Sequence, residues 1–188
     1  MGLANWLTVL RILLIPAFVT LLVYRRPGMA LAVFCLASLT DLLDGYIARR
    51  RGSQSRLGAF LDPTADKLLL TASYLTLTYL RALPFWISAV VISRDVILVF
   101  GAVLIHIAGG RIYPSPTWAG KLSTFFQILT VLLAMLRPYT GGSVGLKISL
   151  WVTAAFTVFS GIQYITQGMR YLNSPAGVDR EHEEPLFR

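Results

Sequence analysis

Acidic residues, cysteine and histidine are scarce in this chain of 188 residues, and the shortages narrow what the protein can be. With one cysteine, Cys35, no internal disulfide is possible. Nine Asp and Glu against seventeen Lys and Arg give a net charge of +8, which alone would suggest a nucleic-acid partner. However, 55% of the residues are hydrophobic, only 14% are charged, and the mean hydropathy is +0.65. We therefore expect the lipid bilayer, with its anionic surface, as the partner, and no nucleic acid.

Apolar runs dominate the chain, and each is near or above the roughly 20 residues that cross a hydrocarbon core. Turn residues such as Arg26-Pro27-Gly28 separate neighbouring runs. The sequence thus predicts an all-α polytopic membrane protein with one domain, residues 1–172, and a polar C-terminal tail, residues 173–188. The six predicted transmembrane helices are 7–24, 29–48, 63–80, 84–108, 118–136 and 144–171.

Basic residues near the helix ends predict the orientation. With the N-terminus inside, the inner face carries twice as many Lys and Arg as the outer face. Arg49, Lys67 and Arg111 are among those on the inner face. Both termini and the loop after the second helix are then cytoplasmic. We expect an integral protein of a bacterial inner membrane with its active site on that side.

Four of the nine acidic residues lie between positions 41 and 66, namely Asp41, Asp44, Asp62 and Asp66. Apart from Asp95, all the others are in the last ten residues. Each aspartate pair is spaced by about one helical turn, which places its two carboxylates on one helix face. Two neighbouring helices would bring all four together.

Four carboxylates in an apolar chain repel one another and are costly to bury, so they need cations. Neither histidine nor Cys35 lies in this window, and the ligand set is therefore all oxygen. Oxygen ligands suit hard ions such as Mg²⁺, Mn²⁺ or Ca²⁺. Two such ions would clamp a phosphate group from both sides.

Small and basic residues between the aspartates indicate a pocket for a nucleotide diphosphate. Gly45 and Ala48 lie on the same helix stripe as Asp44, and their small side chains leave room for a flat group to approach the backbone. Gly58 leaves similar room on the returning segment. Arg49 supplies a guanidinium suited to bidentate phosphate contacts.

The complete pattern, Asp41-x2-Asp44-Gly45-x2-Ala48-Arg49-x8-Gly58-x3-Asp62-x3-Asp66, resembles that of the CDP-alcohol phosphatidyltransferases at every fixed position. The resemblance implies a membrane enzyme with that family's helical bundle, which moves a phosphatidyl group from CDP-diacylglycerol to an alcohol and releases CMP. It also implies that Asp41, Asp44 and Asp62 bind a metal pair, two Mg²⁺ or Mn²⁺ ions. Asp66 would act as the base and as a further ligand.

The resemblance extends to the first helix, where Asn5, Thr8 and Arg11 follow at three-residue intervals. Related enzymes often carry Asn-x-x-Thr-x-x-Arg here, near the nucleotide site. By that likeness Asn5 and Thr8 support the nucleotide site, and Arg11 contacts a phosphate or an aspartate. The alternative is a helix cap and a snorkelling arginine.

Three basic residues elsewhere are candidates for contact with the acceptor: Arg94, Arg111 and Lys121. Lys121 lies in a Gly-Lys-x-x-Thr segment that family members share. Arg94 precedes Asp95 within an apolar run, and its alternative role is an ion pair with that neighbour or with another helix. A basic set favours a phosphorylated acceptor, so glycerol 3-phosphate ranks first and the product would be phosphatidylglycerol phosphate.

Other functions remain open at this point. Phosphatidylglycerol, the acceptor of cardiolipin synthases, also has a phosphate and ranks second. Outside the enzymes, a membrane cation carrier would use the aspartates as an ion pathway, but such sites usually lie at the midplane of repeated halves, and no repeat is evident. The sequence leaves open the choice between Mg²⁺ and Mn²⁺, and whether the protein is a homodimer, as is common in the family.

Overall fold

Six helices make up the computed structural model, which describes residues 3–51, 56–107 and 118–173; side chains are described for 9–40, 66–101, 103 and 118–169. All regular secondary structure in these ranges is helical, as predicted. The tail predicted for 173–188 lies, but for Asn173, outside the described residues. The helices are α1 (Leu3–Val23), α2 (Pro27–Arg51), α3 (Arg56–Tyr79), α4 (Phe85–Ile107), α5 (Trp118–Thr140) and α6 (Val144–Asn173).

The number and order of helices match the prediction, but α3 begins earlier than expected. The sequence predicts its start at Pro63, where an apolar run begins. The helix instead begins at Arg56, so Pro63 lies within it and costs one backbone hydrogen bond without ending it. As a result Asp62 and Asp66 belong to the same helix.

Left-handed residues terminate three of the helices. Arg25 and Arg81 have positive φ values of 55° and 58° and each lies two residues after its helix, α1 and α3, while Gly141, with φ 62°, directly follows α5. In each case a backbone N–H group beyond the helix end donates to a carbonyl of the last turn. The Arg26 N–H, for example, donates to the Leu21 carbonyl at 2.9 Å. Capping of this kind satisfies carbonyl groups that a helix end leaves free.

Helix contacts divide the bundle into two groups that meet along α3 and α5. α1 contacts α2 and α3, while α6 contacts α4 and α5, and α3 contacts α4 and α5. The apolar core includes Phe18 and Phe34, whose ring centroids are 5.7 Å apart, together with Val131 and Met135.

α4 and α6 run in the same direction. Trp86 packs against Trp151 near one end with ring centroids 5.2 Å apart, and Arg94 bonds to Ser160 further along. Near the other end, a Cβ atom on Gly101 would come within 3.1 Å of Tyr164 Cε1. Glycine therefore allows the close approach of these two parallel helices at that point.

Polar side chains face the interior of the α5–α6 pair. The hydroxyl of Thr130 bonds to Ser149 at 2.6 Å and to Thr153 at 2.8 Å, and Ser123 bonds to Thr157 at 3.0 Å. All five residues are buried. We call these five residues, with Gln127, the hydroxyl ladder; Gln127 Nε2 donates to both Ser123 and Thr157.

Large apolar side chains, in contrast, face outward. They include Leu13, Phe100 and Trp151, which are 64%, 64% and 70% exposed. α5 and the segment Val144–Met169 of α6 are long and apolar enough to cross a membrane, by length and composition. The apolar segments found in α1 and α2 are shorter, Val9–Val23 and Pro27–Thr40.

Replacing Thr130 with valine should destabilise the bundle, because valine keeps the volume but removes both hydroxyl bonds. We expect a loss of about 0.6 to 1.7 kcal/mol, the range measured for hydrogen bonds between membrane helices. The measurement is thermal or denaturant unfolding in detergent. Thr166→Val is the matched control, since Thr166 is exposed and bonds only to the Gln163 carbonyl of its own helix. Equal stabilities for the two variants would contradict a stabilising role of the hydroxyl ladder.

Candidate active site

The aspartate-bearing segments occupy corresponding levels of α2 and α3. Asp41 lies ten residues before the end of α2, and Asp66 lies ten residues after the start of α3. Asp44 and Asp62 lie seven and six residues from the same two helix ends. At 1.5 Å per residue these levels are roughly 15 Å and 10 Å from the end of the bundle where the two helices are joined. Along the helix axes, Asp41 therefore lies level with Asp66, and Asp44 lies nearly level with Asp62.

Of the four aspartates, only Asp66 has a described side chain. It is half-buried and interacts with another residue. The side chains of Asp41, Asp44 and Asp62 lie outside the described set, as do those of the predicted nucleotide-binding residues Asn5, Thr8, Gly45, Ala48, Arg49 and Gly58. The metal ligand set and the nucleotide contacts therefore remain predictions. The donors fit Mg²⁺ or Mn²⁺ in chemistry, because every one is a carboxylate.

Arg11 is the largest side chain that is completely buried among those described. It lies on α1, which contacts both α2 and α3, and it interacts with another residue. A long arginine that snorkels would keep its charged head in water. The burial of Arg11 therefore contradicts the snorkelling alternative and leaves the predicted aspartate or phosphate contact as the hypothesis.

Arg94 and Asp95 form the ion pair that the sequence offered as an alternative role. Arg94 Nη1 lies 2.8 Å from Asp95 Oδ1, and Arg94 Nη2 donates to Ser160 Oγ at 2.9 Å. Lys67 Nζ lies 3.9 Å from the same Asp95 oxygen. We call Lys67, Arg94 and Asp95 the charge cluster. It joins α3 to α4, and Ser160 links it to α6.

Lys121 lies on the outward face of α5, opposite the buried residues Ala119, Ser123 and Gln127. It is exposed, and its Nζ lies 5.8 Å from the centroid of the Trp118 ring, within range of a cation–π contact. An acceptor contact by Lys121 stays a prediction. Arg111 lies in residues 108–117, outside the described ranges.

Comparison with known proteins identifies the family. The family model of the CDP-alcohol phosphatidyltransferases matches residues 1–159, most of the chain. The chain belongs to this family. The match covers the aspartate pattern, α1 to α5 and more than half of α6, and it confirms the resemblance inferred from the sequence.

Several curated CDP-alcohol phosphatidyltransferases are similar over most of the chain. A Mycobacterium tuberculosis protein named "Probable phosphatidylglycerophosphate synthase" is 33% identical over 178 residues, covering 90% of this chain and 82% of the relative. The CDP-diacylglycerol–glycerol-3-phosphate 3-phosphatidyltransferase of Haemophilus influenzae is 34% identical over 166 residues, covering 85% and 89%. Human cardiolipin synthase (CMP-forming) is 36% identical over 174 residues, covering 81% of this chain but 56% of the relative.

Two residues that contact Arg94 or Asp95 in this phosphatidyltransferase, Lys67 and Ser160, are not predicted as partners from the sequence. Lys67 was counted among the charges at a membrane face, because α3 was predicted to start at Pro63, which left Lys67 near a helix end. With the start at Arg56, Lys67 lies mid-helix beside Asp95. Ser160 was not singled out, since a lone serine in an apolar run carries no distinctive signal.

Proposed function

We propose that the protein transfers a phosphatidyl group from CDP-diacylglycerol to glycerol 3-phosphate, giving phosphatidylglycerol phosphate and CMP. The observation that carries this proposal is the similarity, at 33% and 34% identity over more than four fifths of each chain, to two enzymes whose names describe this synthesis. The complete aspartate pattern supports it. The charge cluster adds cations suited to a phosphorylated acceptor.

The proposed setting is a bacterial cytoplasmic membrane crossed by all six helices, with both termini inside. Outward apolar side chains and an inward hydroxyl ladder support this setting, because lipid offers polar groups no hydrogen bonds. The aspartate levels near the joined ends of α2 and α3 then lie below the cytoplasmic surface. Acyl chains of the lipid substrate remain in the bilayer while its nucleotide enters from the cytoplasm.

In the proposed reaction, the acceptor hydroxyl oxygen bonds to the phosphorus that carries diacylglycerol, and the phosphoanhydride bond to CMP breaks. Asp66 takes the proton of the attacking hydroxyl. Arg49 binds the diphosphate and balances the charge that gathers on the departing CMP. Asp41, Asp44, Asp62 and Asp66 would hold two Mg²⁺ or Mn²⁺ ions, which supply electrostatic stabilisation to the phosphates when bound.

A second candidate is cardiolipin synthesis with phosphatidylglycerol as the acceptor. The 36% identity to human cardiolipin synthase favours keeping it, although the aligned region is only 56% of that relative. Both reactions use the same donor and release CMP. They differ only in the alcohol that attacks.

Purified enzyme should convert CDP-diacylglycerol and glycerol 3-phosphate into phosphatidylglycerol phosphate, with one CMP released per lipid formed. The measurement is mass spectrometry of the lipid product and quantification of CMP, using serine, inositol and phosphatidylglycerol as parallel acceptors. Formation of cardiolipin from phosphatidylglycerol, with no product from glycerol 3-phosphate, would establish the second candidate instead. No CMP with any acceptor would refute the proposed activity.

Asp66→Asn should reduce turnover by about 10² to 10⁴, the usual contribution of general acid–base catalysis, because an amide does not take up the hydroxyl proton. CDP-diacylglycerol binding should be largely retained. The two are measured as CMP release and as nucleotide binding to the folded variant. Lys147→Gln, an exposed change at the opposite end of the bundle, should leave both unchanged. An Asp66→Asn enzyme with normal turnover would exclude the base role.

Chelation of divalent ions should abolish activity. The proposed ligands are carboxylates, and without the ions they would repel the substrate phosphates. Activity should return on adding Mg²⁺ or Mn²⁺ in excess of the chelator. The readout is CMP release before and after metal restoration. Full activity after exhaustive chelation would argue against the metal pair.

A further inference from the structure

The charge cluster holds two cations from different helices against one carboxylate oxygen. Asp95 Oδ1 lies 2.8 Å from Arg94 Nη1 and 3.9 Å from Lys67 Nζ. The side chains of Arg94 and Asp95 are 11% and 15% exposed, and that of Lys67 is 40% exposed. Within the cluster one carboxylate therefore faces two cations, of which only Arg94 is largely buried.

A largely buried guanidinium is costly unless its donors meet acceptors. Arg94 has donor capacity to spare: its Nε is buried and has no hydrogen-bond partner in the part of the chain that the structure describes. Its two terminal nitrogens are fixed by Asp95 and by Ser160, so the guanidinium plane is held in place. Lys67, the more exposed of the two cations, has no comparable second anchor among the described residues.

The cluster lies beside the proposed base. Lys67 follows Asp66 directly on α3, and a lysine side chain is long and flexible enough to bend toward a neighbouring carboxylate. Asp95 draws the Lys67 ammonium toward α4 instead.

We propose that Asp95 is a positioning residue, which holds Lys67 and Arg94 so that both cations receive the phosphate monoester of the acceptor beside Asp66. The proposal rests on the proposed function and deepens it: Lys67 and Arg94 would select an anionic acceptor over a neutral alcohol. Asp95 does not touch the substrate. It fixes the direction of the two groups that do.

Asp95→Asn tests the proposal, because asparagine keeps the shape and one acceptor oxygen but removes the charge. We expect the KM for glycerol 3-phosphate to rise by about tenfold or more, as when a buried charge pair loses one partner, with the KM for CDP-diacylglycerol within twofold of wild type. Asp95→Glu, which restores the charge, should recover most of the acceptor affinity. A purely structural role would change both KM values together or neither.

Inorganic phosphate provides a second readout that does not depend on turnover. It should raise the melting temperature of the wild-type protein in detergent and compete with glycerol 3-phosphate, and both effects should weaken in Asp95→Asn. Thr166→Val, exposed and remote from the cluster, is the matched control and should behave as wild type in every measurement. Phosphate effects of equal size in Asp95→Asn and wild type would overturn the proposal.

If Asp95→Asn does not fold, the double variant Lys67→Met with Asp95→Asn removes one charge of each sign and lowers the burial cost. The acceptor KM should again rise by tenfold or more while the donor KM stays within twofold, and an unchanged acceptor KM would overturn the proposal. Failure of the proposed function gives a different result, since wild-type enzyme would then form no lipid from glycerol 3-phosphate. In that case, phosphate would still contradict binding by the charge cluster if it raised the melting temperature of the variants and of the wild-type protein equally.

Discussion

Every charge that the bundle encloses has to be matched by another, and the rest of the structure follows from that constraint. Among the described residues many large apolar side chains face outward, and polar side chains such as those of the hydroxyl ladder are gathered inward. Arg11, fully buried on α1, and the Lys67–Asp95–Arg94 cluster are the extreme cases. Helix positions are consequently determined by polar pairing as well as by the fit of apolar side chains.

The two halves of the interior use polar groups differently. Between α5 and α6 the hydroxyl ladder is neutral, and its hydroxyls are bonded to one another, as in the Thr130 contacts with Ser149 and Thr153. That part of the interior holds helices together and has no spare donors for a ligand. The charge cluster, in contrast, has two cations beside one carboxylate, and Arg94 Nε has no hydrogen-bond partner among the described residues. The polar side chains that hold helices together and those proposed to bind a substrate thus lie in separate regions of one bundle.

Much of this architecture follows from the sequence by simple rules. Hydrophobic length predicts the six helices, and the pattern of Asp41, Asp44, Asp62 and Asp66 indicates the family. What fails is local: the sequence predicts a helix start at Pro63, whereas α3 runs through this proline from Arg56. This difference of seven residues moves Lys67 from near a helix end to the middle of α3, beside Asp95. The partners of Arg94 depend on which helices become neighbours, and periodicity along one helix carries no such information.

The parallel arrangement of α4 and α6 has a consequence for the order in which the molecule is assembled during translation. α4 is complete on the ribosome well before α6 has been synthesised, so Arg94 must at first do without Ser160. Lys67 and Asp95 already exist at that moment, on helices made earlier. The nascent protein can therefore neutralise its enclosed carboxylate early, and the arrival of the final helix fixes the guanidinium in place.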